Sequence, residues 1–354
     1  MCRRSRSLTC HAAHAPPSQQ GSHLVQSLSG DNTKGLKAAL LIVSAIRSGP
    51  SVMDQQYAHS GAGPAVLVEL TGGLANQLFQ WAAGRLVADA GSRALYLDVR
   101  VVERPDGRGN QVSGMVPVDG IISAAKAETE FWRIAHRALP RPVVGAAKRM
   151  RRLTFRRPSE IVAKSYAEGL AALTVDRPVR LRGLFQEIDP LLKAREPIVS
   201  AVRFGLMNGE SADVGHYAAA HIRRGDYASN PKYAARFGLC SEDYYRTALR
   251  FIDDRLPVRV VTDDPQWAAG FIASLPSPDR FRLEVGADHF ADLRTLANAR
   301  ELIIANSTFS WWGAFLGAPQ RVIYPQPWFT RESDDHDLAL PGWVPVPRDK
   351  AESE

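Results

Sequence analysis

The chain has 354 residues, of which 45% are hydrophobic and 23% charged, with 27 glycines and 23 prolines. That length allows two domains, and that composition excludes a collagenous, coiled-coil or wholly disordered protein. The formal net charge is +7, but nine Lys or Arg and no acid fall within residues 132–157, so the basicity is local and we expect no nucleic-acid partner.

The N-terminal residues 1–63 are rich in Ser, Gln, His, Gly and Pro and show no sustained helical or strand periodicity, which predicts a largely disordered tail. Its most apolar run, residues 38–46, spans nine residues, whereas a membrane-spanning helix needs about 20. No clear signal-peptide cleavage site follows. Met53 is an alternative start of the functional chain. The three cysteines offer neither a paired framework nor the spacing of a zinc site. We therefore expect a cytoplasmic protein without a membrane anchor.

The first regular segment predicts a β–glycine loop–α–β unit of the kind that builds parallel sheets. A strand over 65–70 runs into a glycine loop, a helix follows as far as Gly91, and a second strand covers 94–99. We assign residues 64–205 to an N-terminal Rossmann-like domain. Its later part is irregular, because prolines interrupt short helical patterns, and one more strand is indicated near 180–186.

The basic stretch 132–157 belongs to this irregular part. Such a stretch is typical of a solvated helix face or a linker. The alternative is that it holds the protein at the inner face of a membrane through anionic lipid, or contacts a polyanionic acceptor.

From residue 217 onward strands and helices alternate regularly, which predicts a second Rossmann-like domain over 215–350. The predicted strands are 217–222, 258–262, 281–285, 301–305 and 321–324. The predicted helices between them are 241–256, 266–275, 288–299 and 307–317.

Ligands of such sheets bind outside the carboxyl ends of the strands, and polar residues accumulate there in four loops. These loops begin at Gly72, His221, Thr262 and Asn306. Four loops that converge on one rim indicate a site more strongly than any single motif does.

Arg223 and Arg224 are candidates for a phosphate site, because a guanidinium pairs with phosphate oxygens through two parallel hydrogen bonds. Gly225 allows a sharp turn beside them, and Asp226 could orient an arginine or act as a base. The competing interpretation is a surface ion pair in a turn, which the position after a buried strand disfavours.

A predicted helix opens with one amide and three hydroxyl side chains, those of Asn306, Ser307, Thr308 and Ser310. Because free N–H groups at a helix N-terminus bind anions, this segment suits a second phosphate contact. Ordinary N-capping by Asn306 or Ser307 is the alternative, and the two are compatible. Trp311 and Trp312 are expected to pack in the core rather than to stack on a sugar.

Asp263 and Asp264 directly follow a strand, where adjacent side chains point to opposite faces, which argues against a shared metal site. One carboxylate could instead accept the paired N–H donors of a guanine edge, and the alternative is a strand-end cap. His221 alone is more often structural than a ligand. The pair Gly72-Gly73 matches neither the dinucleotide fingerprint nor a P-loop.

Together these features predict a cleft between two Rossmann-like domains, with arginines and a helix N-terminus for a diphosphate and with no metal or other cofactor. This arrangement suits a nucleotide-sugar transferase. The leaving nucleoside diphosphate gains negative charge as the glycosidic bond breaks, so fixed cations stabilise the transition state more than the ground state.

Four sequence blocks resemble the bacterial α-1,2-fucosyltransferases of glycosyltransferase family 11. The blocks are Gly72-Gly-Leu-Ala-Asn-Gln-Leu-Phe-Gln-Trp81, His221-Ile-Arg-Arg-Gly-Asp-Tyr227, Val261-Thr-Asp-Asp264 and Ile304-Ala-Asn-Ser-Thr-Phe-Ser-Trp-Trp-Gly-Ala314. The resemblance implies the α/β GT-B fold, with GDP-L-fucose as the donor, inversion at the fucose carbon and no metal requirement.

The same resemblance implies that Arg223 holds the β-phosphate and that Asn76 lies near the fucose. It also implies that His221 and one Asp of the pair at 263–264 meet the guanosine, and that residues 307–310 meet the phosphates. Ala75 stands where the family usually has Gly, and Thr262 where Ser is usual. The candidate residues for catalysis are Arg223 and Asp226. The candidates for substrate binding are Gly72, Gly73, Asn76, Gln77, His221, Arg224, Asp263, Asp264, Asn306, Ser307, Thr308 and Ser310.

The hypothesis from sequence is therefore transfer of L-fucose from GDP-L-fucose to the 2-hydroxyl of a galactoside in a bacterial surface glycan. Asp226 is the nearest candidate for a general base, and a step that needs little base assistance is equally open. The alternatives are a fucosyltransferase of another linkage, a transferase of another GDP-sugar, or an inactive protein that binds a glycan or a nucleotide.

Overall fold

The computed structural model describes residues 64–123, 141–142, 144–146, 160–206, 215–285, 288–330 and 338–349. The predicted tail 1–63 and nearly all of the basic stretch 132–157 lie outside the described residues. The chain divides into two units, Met1–Ser60 with Ala124–Arg157 and Gly61–Ser123 with Pro158–Glu354. Both sheets described below belong to the second unit.

A five-stranded sheet forms the N-terminal half, with parallel pairings and the strand order β3-β2-β1-β5-β4. The strands are β1 (Val66–Glu69), β2 (Leu95–Asp98), β3 (Gly120–Ile122), β4 (Ile161–Ala163) and β5 (Val179–Leu181). The central strand β1 is a nearly continuous apolar run, because helices cover both faces of a parallel sheet.

The helices of this half are α1 (Leu74–Ala90), α2 (Tyr166–Ala172), α3 (Ile188–Lys193) and α4 (Arg195–Leu206). α1 crosses β1 so closely that a Cβ on Gly84 would lie 2.3 Å from a methyl carbon of Val68. The helix ends before Gly91, as the sequence predicts. α1 is therefore held tightly on the sheet, and its N-terminus follows the end of β1.

A six-stranded sheet forms the C-terminal half, again with parallel pairings, in the order β11-β10-β9-β6-β7-β8. Counted from β6, this is the Rossmann order, in which the strand order reverses between β6 and β9. The strands are β6 (Ala218–Ile222), β7 (Val258–Thr262), β8 (Phe281–Glu284), β9 (Glu301–Ile303), β10 (Arg321–Gln326) and β11 (Val344–Pro347). The predicted fold class, two Rossmann-like α/β sheets, is thus confirmed.

The helices of the C-terminal half start where the sequence places capping side chains. The Ser241 hydroxyl accepts from Tyr244 N–H and the Asp288 carboxylate from two backbone N–H groups. The helices are α5 (Gly225–Ser229), α6 (Pro231–Phe237), α7 (Glu242–Leu249), α8 (Pro265–Ala273), α9 (His289–Ala297) and α10 (Thr308–Gly317). None of the helices within the described residues is both long and apolar enough to cross a membrane.

The predicted alternation from residue 217 is confirmed, with some wrong boundaries. The helix predicted over 241–256 ends at Leu249, and its last apolar residues belong to a turn that leads into β7. The helix predicted from Ser307 starts at Thr308, with Ser307 as its cap. The strand near 180–186 is only Val179–Leu181. The sequence analysis does not predict β3, β4 or β11, and β3 and β4 have only three residues each, too few to show an alternation.

The two halves share an aromatic core where α1 packs against α10. The ring centroid of Phe79 lies 4.8 Å from that of Trp311 and 5.1 Å from that of Trp312. Both tryptophans are fully buried, which confirms that they pack in the core. The Trp311 indole N–H donates to the Leu338 carbonyl oxygen at 2.6 Å. This packing holds the helix of the glycine loop beside the helix that follows β9.

Candidate functional site

A cavity of about 520 Å³ opens at the carboxyl ends of β1, β6 and β7. β1 and β6 are the strands at which the order of each sheet reverses, which is where open α/β sheets bind ligands. Candidates predicted from the sequence that line this cavity are Gly72, Gly73, Asn76, His221, Arg223, Asp263, Ser307 and Thr308. Four strand-end loops therefore meet at one site, as expected.

Two helix N-termini meet at the cavity. α1 begins after Gly73, which provides no side-chain cap, and α10 begins after Ser307, whose hydroxyl accepts from Phe309 N–H. Neither first turn contains an acidic residue. Gly72 has φ +73, and Ala75 is already helical, so the positive φ falls on a glycine and an alanine at 75 is tolerated. Both helix dipoles therefore favour an anion in the cavity.

Arg223 is held at the cavity by Asp263. Its Nη1 lies 2.8 Å from Asp263 Oδ2, and its guanidinium carbon lies 5.3 Å from the centre of the Tyr227 ring. The other oxygen of Asp263 accepts from the backbone N–H of Arg224 at 2.8 Å. Gly225 allows Asp263 to approach closely, because a Cβ there would lie 2.3 Å from Asp263 Oδ2. Both oxygens of Asp263 are thus engaged in positioning the β6 loop.

Arg224 and Asp264 do not line the cavity, although the sequence analysis placed them among the substrate contacts. Arg224 Nε lies 3.2 Å from Asp264 Oδ2, and the guanidinium carbon lies 4.3 Å from the Trp267 ring centre. Asp264 also caps α8 by accepting from Trp267 N–H at 3.2 Å. Adjacent residues at each strand end have separate partners, so each pair has one cavity-lining and one structural member.

His221 reaches the cavity from within β6 and is only 4% exposed. Burial, together with the nearby charge of Arg223, lowers the pKa of His221 to about 3, so its ring is neutral at physiological pH. Its Nδ1 has no hydrogen-bond partner among the described residues. The ring centroid lies 5.6 Å from that of Phe309. His221 is therefore a buried neutral ring with an unsatisfied nitrogen beside a ligand-sized cavity.

Three predicted substrate contacts have structural roles instead. The Asn306 amide nitrogen donates to the Phe237 carbonyl at 2.6 Å, and its oxygen lies 3.6 Å from the Cys240 thiol. The Ser310 hydroxyl faces the carbonyl oxygens of residues 305 and 307. Gln77 is fully buried and bonds to backbone groups of two loops. Because these polar groups are satisfied internally, they shape the cavity rather than line it.

The sequence analysis missed several residues that line the cavity, namely Arg108, Gln111, Tyr227, Tyr233, Phe237, His289, Asp292 and Phe309. His289 and Asp292 are three residues apart on α9, a spacing that places them on one helix face. Burial raises the pKa of Asp292 to about 6, with smaller contributions from the charges of Asp288 and Glu284. That spacing was visible in the sequence, but no strand-end signal marked it.

Two further candidates concern catalysis and metal binding. Asp226 belongs to α5, and its side chain lies outside what the structure describes. No group of three or more His, Cys, Asp or Glu suited to a metal ion is found within the described parts of the chain. Arg108 and Arg223 are the arginines among the described residues that line the cavity, and the two helix ends add partial positive charge.

Comparison with known proteins identifies glycosyltransferases as relatives. The profile of "Glycosyl transferase family 11" matches residues 170–346, which is half of the chain. An Escherichia coli "Alpha-1,2-colitosyltransferase" is 29% identical over 294 residues, covering 79% of this chain and 98% of that protein. The Escherichia coli "O-antigen biosynthesis glycosyltransferase WbnK" is 34% identical over 132 residues, covering 35% and 42%. Among solved structures, E. coli heptosyltransferase WaaC with ADP-2-deoxy-2-fluoro heptose has a TM-score of 0.41 and 13% identity, covering 80% and 92%.

Proposed function

Because the chain belongs to glycosyltransferase family 11, we propose that it transfers L-fucose from GDP-L-fucose to the 2-hydroxyl of a galactoside in a surface glycan. In this reaction the galactoside oxygen bonds to C1 of fucose while the bond from C1 to the β-phosphate oxygen breaks. The electron pair of the broken bond leaves with GDP, and the configuration at C1 inverts. The proton of the 2-hydroxyl leaves to a base, for which Asp226 remains the candidate.

The observation that carries this proposal is that Arg223 lines the same cavity as two helix N-termini. Its guanidinium is fixed by Asp263 at 2.8 Å and lines the same cavity as the starts of α1 and α10. A diphosphate beside Arg223 would meet its full positive charge and the partial positive charges of the two helix N-termini. Since the diphosphate gains charge as it leaves, these groups stabilise the transition state more than the bound donor.

We assign the second half of the donor, the guanine, to the part of the cavity lined by α9. Asp292 is half-buried and lines the cavity, and its carboxylate makes no hydrogen bond or ion pair with the described residues. A carboxylate in such a place can accept the paired N–H donors of a guanine edge, whereas both oxygens of Asp263 are already engaged. We therefore assign the guanine carboxylate to Asp292 rather than to the pair at 263–264.

We further propose that the reaction needs no metal ion. A divalent cation would neutralise the leaving diphosphate, and Arg223 and the two helix ends offer that neutralisation from the protein itself. A turnover rate that is the same in EDTA and in Mg²⁺ supports this proposal, and a strict requirement for Mg²⁺ contradicts it.

A second candidate donor follows from the E. coli relative named as a colitosyltransferase, which matches along most of this chain. Colitose is the 3-deoxy counterpart of L-fucose, so GDP-colitose and GDP-L-fucose differ by one hydroxyl group. A site that hydrogen-bonds this hydroxyl rejects the 3-deoxy donor strongly, whereas a site that does not contact it accepts both. The preference between the two donors therefore depends on whether the part of the cavity near Asn76 contacts this hydroxyl group.

The test is turnover of purified full-length chain with GDP-L-fucose or GDP-colitose and a set of galactosides. GDP release is measured with and without acceptor, and the linkage of the product is determined by NMR. The proposal predicts acceptor-dependent GDP release from GDP-L-fucose and an α-1,2-linked product. A preference for GDP-colitose would mean that the donor is GDP-colitose, with the proposed linkage unchanged. Tight GDP binding without any transfer would indicate an inactive binding protein, and Arg223→Ala provides the negative control.

A further inference from the structure

Beyond the donor, the structure offers a place for the acceptor. The loop 108–111 follows the carboxyl end of β2 and supplies two polar side chains to the cavity, Arg108 and Gln111. We propose that Arg108 and Gln111 bind the acceptor sugar and that Gln77 is the positioning residue that holds their loop in place. This inference rests on the proposed function, because it assumes that the cavity groups of the C-terminal half hold the nucleotide sugar.

Gln77 joins the glycine loop to the loop 108–111. Its side-chain amide nitrogen donates to the carbonyl oxygens of Gly72 at 2.9 Å and Gly109 at 2.8 Å. Its amide oxygen accepts from the backbone N–H of Gln111 at 2.9 Å. The side chain is fully buried, so these bonds replace those it would make to water. One residue of α1 thus fixes the loop that follows β2 against the loop that follows β1.

Gln111 and Arg108 come from a different half of the chain than the side chains assigned to the nucleotide. Arg223, His221 and Asp292, the groups suited to diphosphate and guanine, come from the C-terminal sheet and its helices. Arg108 is exposed and Gln111 is half-buried. The Gln111 Oε1 atom would lie 3.8 Å from a Cβ added to Gly73, so Gln111 lies beside the start of α1. A guanidinium and an amide together offer several donors and one acceptor, which can pair with the hydroxyl groups of a galactoside.

A matched control lies one helical turn along α1. Gln80 is as deeply buried as Gln77, and it donates to the Thr71 hydroxyl at 2.7 Å and the Gly183 carbonyl at 3.0 Å while accepting from Thr71 N–H at 2.9 Å. It therefore makes an equivalent set of bonds without touching the loop 108–111. A purely structural effect of losing a buried amide should appear equally in variants of Gln77 and of Gln80.

The experiment compares Arg108→Ala, Gln111→Ala, Gln77→Glu and Gln80→Glu. For each variant we would measure the acceptor KM, kcat, the Kd of GDP by calorimetry, and the hydrolysis of GDP-L-fucose without acceptor. Arg108→Ala and Gln111→Ala should each raise the acceptor KM by tenfold or more, with the Kd of GDP and the hydrolysis rate within twofold of wild type. Gln77→Glu places a carboxylate against two carbonyl oxygens, and it should raise the acceptor KM more than Gln80→Glu does.

Three results would overturn the inference. One is an acceptor KM that stays within twofold of wild type in both Arg108→Ala and Gln111→Ala while wild type transfers fucose. Another is a tenfold loss of GDP affinity in these variants, which would put the loop at the nucleotide. A wild-type chain that transfers fucose to no galactoside would overturn the proposed function, and this inference with it. Because Arg108 and Gln111 are not buried, their variants should fold even if Gln77→Glu does not.

Discussion

Replacing Arg223 with alanine should remove the main source of charge stabilisation for the leaving diphosphate. Loss of one such donor in an active site typically lowers kcat by about 10²–10³, or about 2.7–4 kcal/mol. The structure adds a second effect. Asp263, whose Oδ2 lies 2.8 Å from Arg223 Nη1, would lose its partner and present an uncompensated carboxylate to the diphosphate. We therefore expect the loss to lie at the upper end of that range.

A double-mutant cycle separates the two effects. Both side chains are 27% exposed, so the ion pair is partly screened, and Asp263→Ala alone should cost about 1 kcal/mol in kcat/KM. In the absence of Arg223 the same change removes a repulsive charge and should be neutral or beneficial. The double variant should thus be at least as active as Arg223→Ala, with a coupling of about 1 kcal/mol or more.

The assay is kcat/KM for GDP release from GDP-L-fucose with a saturating galactoside, together with calorimetry of GDP for each variant. Arg246→Ala is the control, because Arg246 pairs with Glu242 on the surface of α7 at 3.3 Å and does not line the cavity. Activity of Arg223→Ala within threefold of wild type would refute the assigned role. Strict additivity of the two substitutions would refute the pairing with Asp263 as a feature of the active state.

Three further predictions concern other described residues. Burial raises the pKa of Asp292 to about 6, so GDP affinity should fall as the pH drops below 6, and Asp292→Asn should remove this dependence and weaken GDP binding. Because a raised pKa means that the ionised carboxylate destabilises the folded protein at pH 7, Asp292→Asn should also raise the Tm of the free protein. Gly317→Ala should lower the free energy of unfolding in denaturant by about 1–3 kcal/mol, because its Cβ would lie 2.1 Å from the Ala297 carbonyl oxygen. Gly270→Ala in α8 is the control: it has open space around it and should raise the free energy of unfolding by about 0.5–1 kcal/mol. Burial raises the pKa of the Cys240 thiol to about 12, so peptide mapping after treatment with iodoacetamide at pH 8 should find Cys240 unmodified in the folded protein and alkylated in denaturant.

Local signals account for what the sequence predicted well. The helices of the C-terminal half carry their own caps, such as Ser241 and Asp288, and their strands are short apolar runs, so each element can be found without its neighbours. The site could be placed because parallel strands bring their carboxyl ends to one edge. The loop between β2 and β3 shows neither helical nor strand periodicity and has no capping signal. Arg108 and Gln111 lie in this loop, and the sequence analysis missed them.

The choice between neighbouring residues could not be made from the sequence. Arg223 and Arg224 are chemically identical, and only the tertiary partners distinguish them, since one meets Asp263 at the cavity and the other meets Asp264 beside Trp267. Asn306 looked like part of an anion site, but it is 1% exposed and bonded to the backbone around Phe237. Such roles depend on which buried polar group needs a partner, and that is known only once the loops have packed.

Amide hydrogen exchange with and without GDP tests the location of the diphosphate most directly. The N–H groups at the starts of α1 and α10 line one cavity, and a diphosphate bound there should protect both. In EDTA, GDP should therefore slow exchange in peptides that contain residues 72–76 and in peptides that contain residues 307–309, and Arg223→Ala should abolish both effects at the same GDP concentration. Protection confined to other parts of the chain, or protection that survives in Arg223→Ala, would contradict a diphosphate held by Arg223 and two helix N-termini.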